Sequence, residues 1–173
     1  MEIRKGTVKD IDELAALYDE LNDYLESHTN YPGWLKGIYP IREDAELGVK
    51  EDNLFVAIEN GCIAGTIILN HKPEEAYNSV NWQNDFSYDD ILVVHTFAVH
   101  PLFLHKGIGQ KILEFAIEYA IDTKQKAIRL DVYENNLPAI HLYEKVGFQY
   151  IDTVDLGYGK YGLDWYKLYQ KIL

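Results

Sequence analysis

The spacing of apolar residues along the chain changes several times between the period of a helix and that of a strand. Leucine and isoleucine recur every three or four residues from Ile11 to Leu25, which predicts a first helix. Thr7 and Asp10 precede it as an N-cap and an acidic first-turn residue would. Residues 2–6 read as a strand, and residues 42–51 are compatible with a second helix.

Turn-forming residues divide the middle of the chain. Residues 30–40 contain two prolines and two glycines, which predicts a loop or a broken helix. Residues 54–59 and 62–69 are apolar runs on either side of Asn60-Gly61, a pair typical of a tight β-hairpin turn. Residues 71–89 are polar and irregular, and we expect a mobile connection there.

The second half of the chain alternates strands and helices. Apolar runs predict strands at residues 91–99, 127–133, 148–154 and 161–169. Helical patterns begin near Gly107 and at Asn136, and Gly147 suits the position just past the end of the second of these helices. A strand, a helix and a strand in succession predict a parallel pair. Together with the hairpin, this predicts an α/β (α+β) fold with a mixed, mostly antiparallel sheet of about seven strands and four helices.

Composition narrows the class of protein. The 173 residues fit a single domain spanning 1–173, and their net charge of −12 argues against nucleic-acid binding. No apolar run approaches the ~20 residues of a membrane span, and no signal-peptide core follows Met1, so we expect a cytoplasmic protein without a membrane partner. Cys62, the only cysteine, is expected to be a small core residue.

The turn after the strand at 91–99 has the outline of a pyrophosphate site. Gly107 and Gly109 open a helix, where unpaired N–H groups and the helix dipole attract anions. Glycine lets a bulky anion approach the backbone closely. The spacing matches neither the P-loop nor the full dinucleotide fingerprint, so the glycine pair alone is as compatible with an ordinary tight turn.

A second motif follows the strand at 127–133. Asn136 caps a helix in which Ala139, Leu142, Tyr143 and Val146 fall on one face, at intervals of three, four and seven residues. That face would turn toward the core, so Tyr143 points inward or into a cleft at the strand ends.

The two motifs, in this order, resemble the GCN5-related N-acetyltransferase (GNAT) superfamily. The resemblance covers residues 91–150, whereas the first half of the chain matches only in its element order and in Gly65. It implies an acetyl-CoA-binding sheet whose fourth and fifth strands splay apart, with the cosubstrate in the splay. The family's phosphate turn begins with Arg or Gln, and Leu104 stands there in this chain.

The resemblance also implies the residues that hold the cosubstrate. The pyrophosphate contacts carry over to a set made mostly of backbone groups, with Asn136 as a further cosubstrate residue: Leu104, His105, Gly107, Gly109 and Gln110. The backbone N–H of Phe97 would stabilise the oxyanion, and Val99 would pair with the pantetheine amide. We expect the departure at Leu104 to affect affinity for the adenosine side more than binding itself.

Catalytic roles follow from the same resemblance. Tyr143 matches the general acid that protonates the leaving thiolate. His95 lies two residues before Phe97, on the same face of a regular strand, and would be the general base; a hydrogen-bonded strand histidine is an equally good interpretation. Asp90 could orient the amine or a proton-relay water instead.

The acceptor is less well defined. Trp34 and Tyr39 are expected to line its pocket, although packing of their segment onto the domain explains them equally well. The acidic chain favours a cationic amine through electrostatic steering. No histidine spacing matches a metal site, so we expect no metal. The alternative function is a non-catalytic acetyl-CoA-binding sensor or scaffold. The sequence is also compatible with a homodimer.

Overall fold

The fold is built around a seven-stranded mixed sheet, seen in a computed structural model that describes all 173 residues. In chain order the elements are β1 (Glu2–Lys5), α1 (Ile11–Ser27), α2 (Arg42–Lys50), β2 (Leu54–Glu59), β3 (Cys62–Asn70), β4 (Ile91–Val99), α3 (Ile108–Asp122), β5 (Ala127–Tyr133), α4 (Leu137–Lys145), β6 (Gln149–Val154) and β7 (Tyr166–Ile172). The strand order is β1-β2-β3-β4-β5-β7-β6. The predicted mixed sheet with four helices is confirmed.

Two compact units make up the chain. The first comprises Met1–Asn30, Trp34–Leu69 and His95–Phe115, and the second comprises Tyr31–Gly33, Asn70–Val94 and Ala116–Leu173. Strand β4 therefore contributes its first residues to the second unit and its remaining residues to the first.

The first unit packs helices on both faces of an antiparallel meander. β1 pairs with β2, and β2 with β3, through the hairpin at Asn60-Gly61 that the sequence predicts. Leucines of α1 join Leu54 and Val56 in one core cluster, while Phe55, the residue between them, meets Phe115 of α3. Alternate strand residues point to opposite faces, so α1 and α3 cover opposite sides of β2.

The predicted helix start near Thr7 is confirmed in a modified form. The Asp10 carboxylate accepts from the amide and the hydroxyl of Thr7, and the Asp10 amide donates to the Thr7 carbonyl oxygen, around a short 3-10 turn, Val8–Asp10; α1 follows directly. None of the helices combines the length and apolarity that a membrane span requires.

The second unit combines one parallel and two antiparallel pairings. β4 and β5 run parallel, as predicted, and β7 lies antiparallel between β5 and β6. Tyr77 and Trp82, from the segment between β3 and β4, pack with Val93 and Leu168 on one face of these strands. Tyr143 of α4 contacts Tyr169 of β7, the neighbour of Leu168, so α4 covers the other face.

Two details of the sequence interpretation were wrong. Cys62 is exposed, because it is the first residue of β3 beside the open hairpin turn. The last strand was expected at 161–169 but begins at Tyr166, because Gly159–Tyr161 form a 3-10 turn closed by a bridge between Tyr158 and Leu163.

Candidate active site

The segment that joins β4 to α3 is a tight turn with two left-handed residues. His105 has a φ of 59° and Gly107 a φ of 76°, and α3 begins at the next residue, Ile108. A side chain added at Gly107 would meet no atom within 4 Å, so the space over this position is open. Glycine suits position 107 because the backbone there has a positive φ, and its missing side chain leaves room for a ligand.

The first N–H groups of α3 face no helical carbonyl. The amide of Lys111 bonds to the carbonyl oxygen of Gly107, at 3.1 Å, and starts the helical ladder. The N–H groups of the residues between them, Ile108 to Gln110, precede that ladder and have no carbonyl one turn earlier to bond to. With the helix dipole they provide partial positive charge where the turn is open.

The side chains around this turn differ in how they are engaged. Gln110 donates to Glu114 Oε1 at 2.7 Å, so its amide is turned along the helix. The ammonium of Lys106 lies 5.2 Å from the centroid of Phe103. Leu104, the departure from the family pattern, is half-buried, and His105 is exposed. The anion-attracting character of the turn thus comes from backbone amides and Lys106 rather than from Leu104.

The second half of β4 is not a regular strand. Thr96 has a φ of 44°, a conformation that is costly for a β-branched residue. The inference that His95 and Phe97 share a face assumed regular alternation and does not follow across such a residue. Their exposure nevertheless alternates, since His95, Phe97 and Val99 are half-buried while Thr96 and Ala98 are buried.

Pairing of β4 with β5 covers only the start of both strands. It joins Ile91 to Ala127, Leu92 to Ile128 and Val93 to Arg129, and β4 runs on to Val99. Gly65 of β3 lies close to this later part, because a Cβ at Gly65 would stand 2.8 Å from the carbonyl oxygen of Ala98. Only glycine allows that approach.

The residues predicted for the acceptor pocket meet β4 at Thr96. The Tyr39 hydroxyl is 2.8 Å from the Thr96 hydroxyl, and the Trp34 ring meets the Tyr39 ring edge-on at a centroid distance of 5.3 Å. The Trp34 ring also packs against the core of the first unit. Sequence reasoning missed Thr96, since a threonine in a strand carries no signal of a left-handed backbone.

Tyr143 lies in the second unit on α4. Its residue is 6% exposed, and its ring contacts those of Phe148 and Tyr169. Asn136 caps α4 as predicted, with its side-chain oxygen accepting from the amide of Ala139 at 3.4 Å. Burial and a hydrogen bond to Glu144 raise the pKa of the neighbouring Tyr169 to about 12, which keeps Tyr169 protonated.

Asp90 immediately precedes β4 and is already engaged. Its carboxylate lies 2.6 Å from the ammonium of Lys126, and its carbonyl oxygen accepts from the Lys126 amide. An acceptor-binding role for Asp90 would therefore compete with this ion pair. No three His, Cys, Asp or Glu side chains form a group that could hold a metal ion.

The sequence profile of the Acetyltransferase (GNAT) family matches residues 14–148. The chain belongs to this family. The match extends the resemblance well beyond residues 91–150, to the first helix and the hairpin.

The chain is similar to two curated proteins over most of its length. An uncharacterized N-acetyltransferase of Methanocaldococcus jannaschii is 29% identical over 143 residues, which are 79% of this chain and 59% of that protein. The protein YqkA of Bacillus subtilis is 26% identical over 157 residues, 91% of this chain but 34% of that protein. The chain thus spans between a third and three fifths of these two relatives.

A solved structure shows the same fold over nearly the whole chain. The GNAT-family acetyltransferase of Streptococcus agalactiae 2603 superposes with a TM-score of 0.81, covers 99% of this chain and 95% of that one, and is 27% identical.

Proposed function

We propose that this protein transfers the acetyl group of acetyl-CoA directly to an amine. The observation that carries the proposal is the open turn at Gly107, which leads from a central strand into the first amides of α3, in a chain of the GNAT family. In the reaction the amine nitrogen bonds to the thioester carbonyl carbon and loses a proton. The C–S bond breaks, and the sulfur gains a proton.

The pyrophosphate of acetyl-CoA would be held at the turn. Backbone groups of Leu104, His105, Gly107, Gly109 and Gln110 are the proposed contacts, and Lys106 adds positive charge. Because backbone amides make most of these contacts, Leu104 in place of Arg or Gln removes one side-chain donor and leaves the anion site itself intact. Asn136 is proposed as a further cosubstrate residue.

The later part of β4 would hold the reacting end of acetyl-CoA. We assign the Phe97 N–H to the oxyanion and Val99 to the pantetheine amide, following the family pattern. A fixed backbone donor of this kind contributes ~2.7–4 kcal/mol to the transition state. The left-handed residue at Thr96 supports this assignment, because strained backbone of this kind clusters at functional sites.

Proton transfers need an acid and a base. Tyr143 is the proposed acid: a phenol with a pKa near ~10 can protonate a thiolate whose thiol has a pKa of ~8.5 when the site favours the transfer. His95 is the proposed base. Asp90 or a relay water is the alternative, and the ion pair of Asp90 with Lys126 makes Asp90 the weaker choice.

We infer that the acceptor is a small cationic amine bound near Trp34 and Tyr39. Aromatic faces attract ammonium groups by ~0.5–2 kcal/mol, and the net charge of −12 steers cations toward the protein. The Tyr39 hydroxyl meets that of Thr96, the residue between His95 and Phe97, so a ligand on these rings would lie near the strand that carries the proposed base.

The test is a panel of amines assayed for release of CoA thiol from acetyl-CoA. Alcohols and carboxylic acids that lack an amino group serve as comparators. We expect turnover with cationic amines only. Tyr143→Phe should lower the rate by roughly 10²–10⁴-fold. Tyr169→Phe, a matched substitution on the neighbouring ring, should leave it nearly unchanged.

Two outcomes would contradict the proposal separately. Turnover only with anionic or hydroxyl acceptors would reject the cationic amine. Acetyl-CoA binding without turnover on any amine would reject the enzyme in favour of the sensor.

A further inference from the structure

A cavity of about 660 Å³, open to solvent, lies in the second unit and is lined mostly by the segment that joins β3 to β4. Its most deeply buried lining residues are Tyr77, Trp82 and Arg129. The exposed lining residues are mainly amides, among them Asn81, Gln83 and Asn84. The volume lies in the range of small-molecule sites, ~300–1,000 Å³.

Arg129 is a buried cation with neutral partners. The residue is 2% exposed. Its Nε donates to Gln170 Oε1 at 2.8 Å, and its Nη1 donates to the Tyr88 hydroxyl at 2.9 Å. Its third nitrogen, Nη2, is buried and has no hydrogen-bond partner.

The surroundings of Arg129 fix the guanidinium without neutralising it. The guanidinium carbon lies 4.2 Å from the centroid of the Trp82 ring and 5.2 Å from that of Tyr88. Gln170, opposite Arg129 in the strand register, also donates to the Trp82 carbonyl oxygen, at 3.1 Å. Cation–π contacts offset part of the cost of burial, but they satisfy no N–H group.

Arginine cannot lose its proton in a protein, so this charge persists at any working pH. A buried charge needs a counter-charge and a full set of hydrogen bonds. The nearest carboxylate along β5, that of Asp131, accepts a hydrogen bond of 2.6 Å from the Tyr77 hydroxyl. Asp85 belongs to the exposed part of the lining.

We propose that this cavity binds a small carboxylate with an aromatic or apolar body, whose oxygen accepts from Arg129 Nη2. The guanidinium matches a planar carboxylate, and the half-buried lining residues Val80 and Phe86 offer apolar surface to the body of the ligand. The amide side chains at the rim add neutral donors. Asp85 and the acidic chain disfavour multivalent anions such as phosphate.

The site is distinct from the proposed general acid. Gln170 contacts Arg129, and the preceding residue, Tyr169, contacts Tyr143. Adjacent residues of a strand point to opposite faces, so the cavity and Tyr143 lie on opposite faces of the same strands. The inference therefore goes beyond the acetyl-transfer function and does not depend on it.

Benzoate is the first probe, with benzamide as its neutral isostere and inorganic phosphate as a multivalent anion. Benzoate at about 100 times its Kd should raise the Tm by roughly 5–10 °C, whereas benzamide and phosphate should not. In ¹⁵N spectra the indole signal of Trp82 should move with benzoate, while those of Trp34 and Trp165 stay in place.

Arg129→Met removes the charge at similar volume, a change that folded proteins often tolerate at buried ion sites. It should weaken benzoate binding in calorimetry by roughly 10–100-fold. Tyr88→Phe removes a neutral partner only and should keep the affinity within a few-fold. Equal responses to benzoate and benzamide in the unmodified protein would overturn the proposal, as would unchanged affinity in folded Arg129→Met.

Discussion

Asp10→Asn tests whether the entry into α1 is held by a charge. The Asp10 carboxylate receives both terminal nitrogens of Arg4, at 2.9 and 2.8 Å, and the amide and hydroxyl of Thr7, at 2.7 and 2.9 Å. Its side chain is 9% exposed. The Arg4 hydrogen bonds are the largest cause that lowers the pKa of Asp10 to about 2, from 3.8. Asparagine keeps the shape and removes the charge.

The magnitude follows from that pKa. The fall of the Asp10 pKa from 3.8 to about 2, at ~1.36 kcal/mol per pKa unit, corresponds to about 2.4 kcal/mol, and partial exposure of Arg4 reduces this to about 1–2 kcal/mol. Because the folded-state pKa is the lower one, the stabilisation is complete above pH 3.8 and disappears as the pH falls through 2. Near pH 3 roughly half of it should remain.

The assay is urea denaturation of the parent protein and Asp10→Asn at pH 7 and pH 3. The matched control is Asp23→Asn, whose carboxylate pairs with Lys36 at 2.7 Å while both side chains are about half exposed. That exposed pair should contribute much less than the buried one. Equal losses for the two variants at pH 7, or an Asp10→Asn loss that does not shrink at pH 3, would refute the reasoning.

Three further changes probe the site. His95→Ala should lower kcat/KM and flatten its rise with pH across the neutral range, whereas an unaltered pH profile would exclude His95 as the base. Tyr39→Phe removes the hydroxyl that meets Thr96 and should raise the acceptor KM several-fold in kinetics, while the acetyl-CoA affinity measured by calorimetry stays constant. A loss of acetyl-CoA affinity as large as the rise in acceptor KM would contradict this. Gly65→Ala would set a Cβ 2.8 Å from the Ala98 carbonyl oxygen. It should therefore lower the unfolding free energy by ~1–3 kcal/mol and reduce turnover. Unchanged denaturation and turnover would show that β4 can shift without cost.

Much of the fold could be predicted because the turn residues, helix caps and apolar runs in the sequence agree with the elements that the structure forms. The apolar run of β4 has the bounds that the structure shows, and Asn60-Gly61 marks the hairpin. Asn136 and Gly147 mark the two ends of α4. An N-cap favours asparagine, and a residue with positive φ just past the helix favours glycine, so both ends could be predicted from residue type. These features depend on neighbours in the sequence.

The features that were missed depend on residues distant in sequence or on backbone strain. The start of β7 was misplaced because the tyrosine-rich residues before it favour a strand, yet a 3-10 turn forms there. The left-handed Thr96 has no marker in a β-favouring stretch. No signal in the sequence marks Arg129 as buried, and only the packing of Trp82 and Gln170 around it shows this.

The central claim is that the turn at Gly107 holds the pyrophosphate of acetyl-CoA, and calorimetric titration with acetyl-CoA tests it directly. Gly107→Glu puts a carboxylate at the proposed anion site. Gly61→Glu is the matched control, because its φ is 79° against 76° and neither added Cβ meets an atom within 4 Å. Like charges brought together cost several kcal/mol, so Gly107→Glu should weaken binding by at least roughly 100-fold while Gly61→Glu binds as the parent does. Parent-like affinity in a folded Gly107→Glu variant would contradict the account.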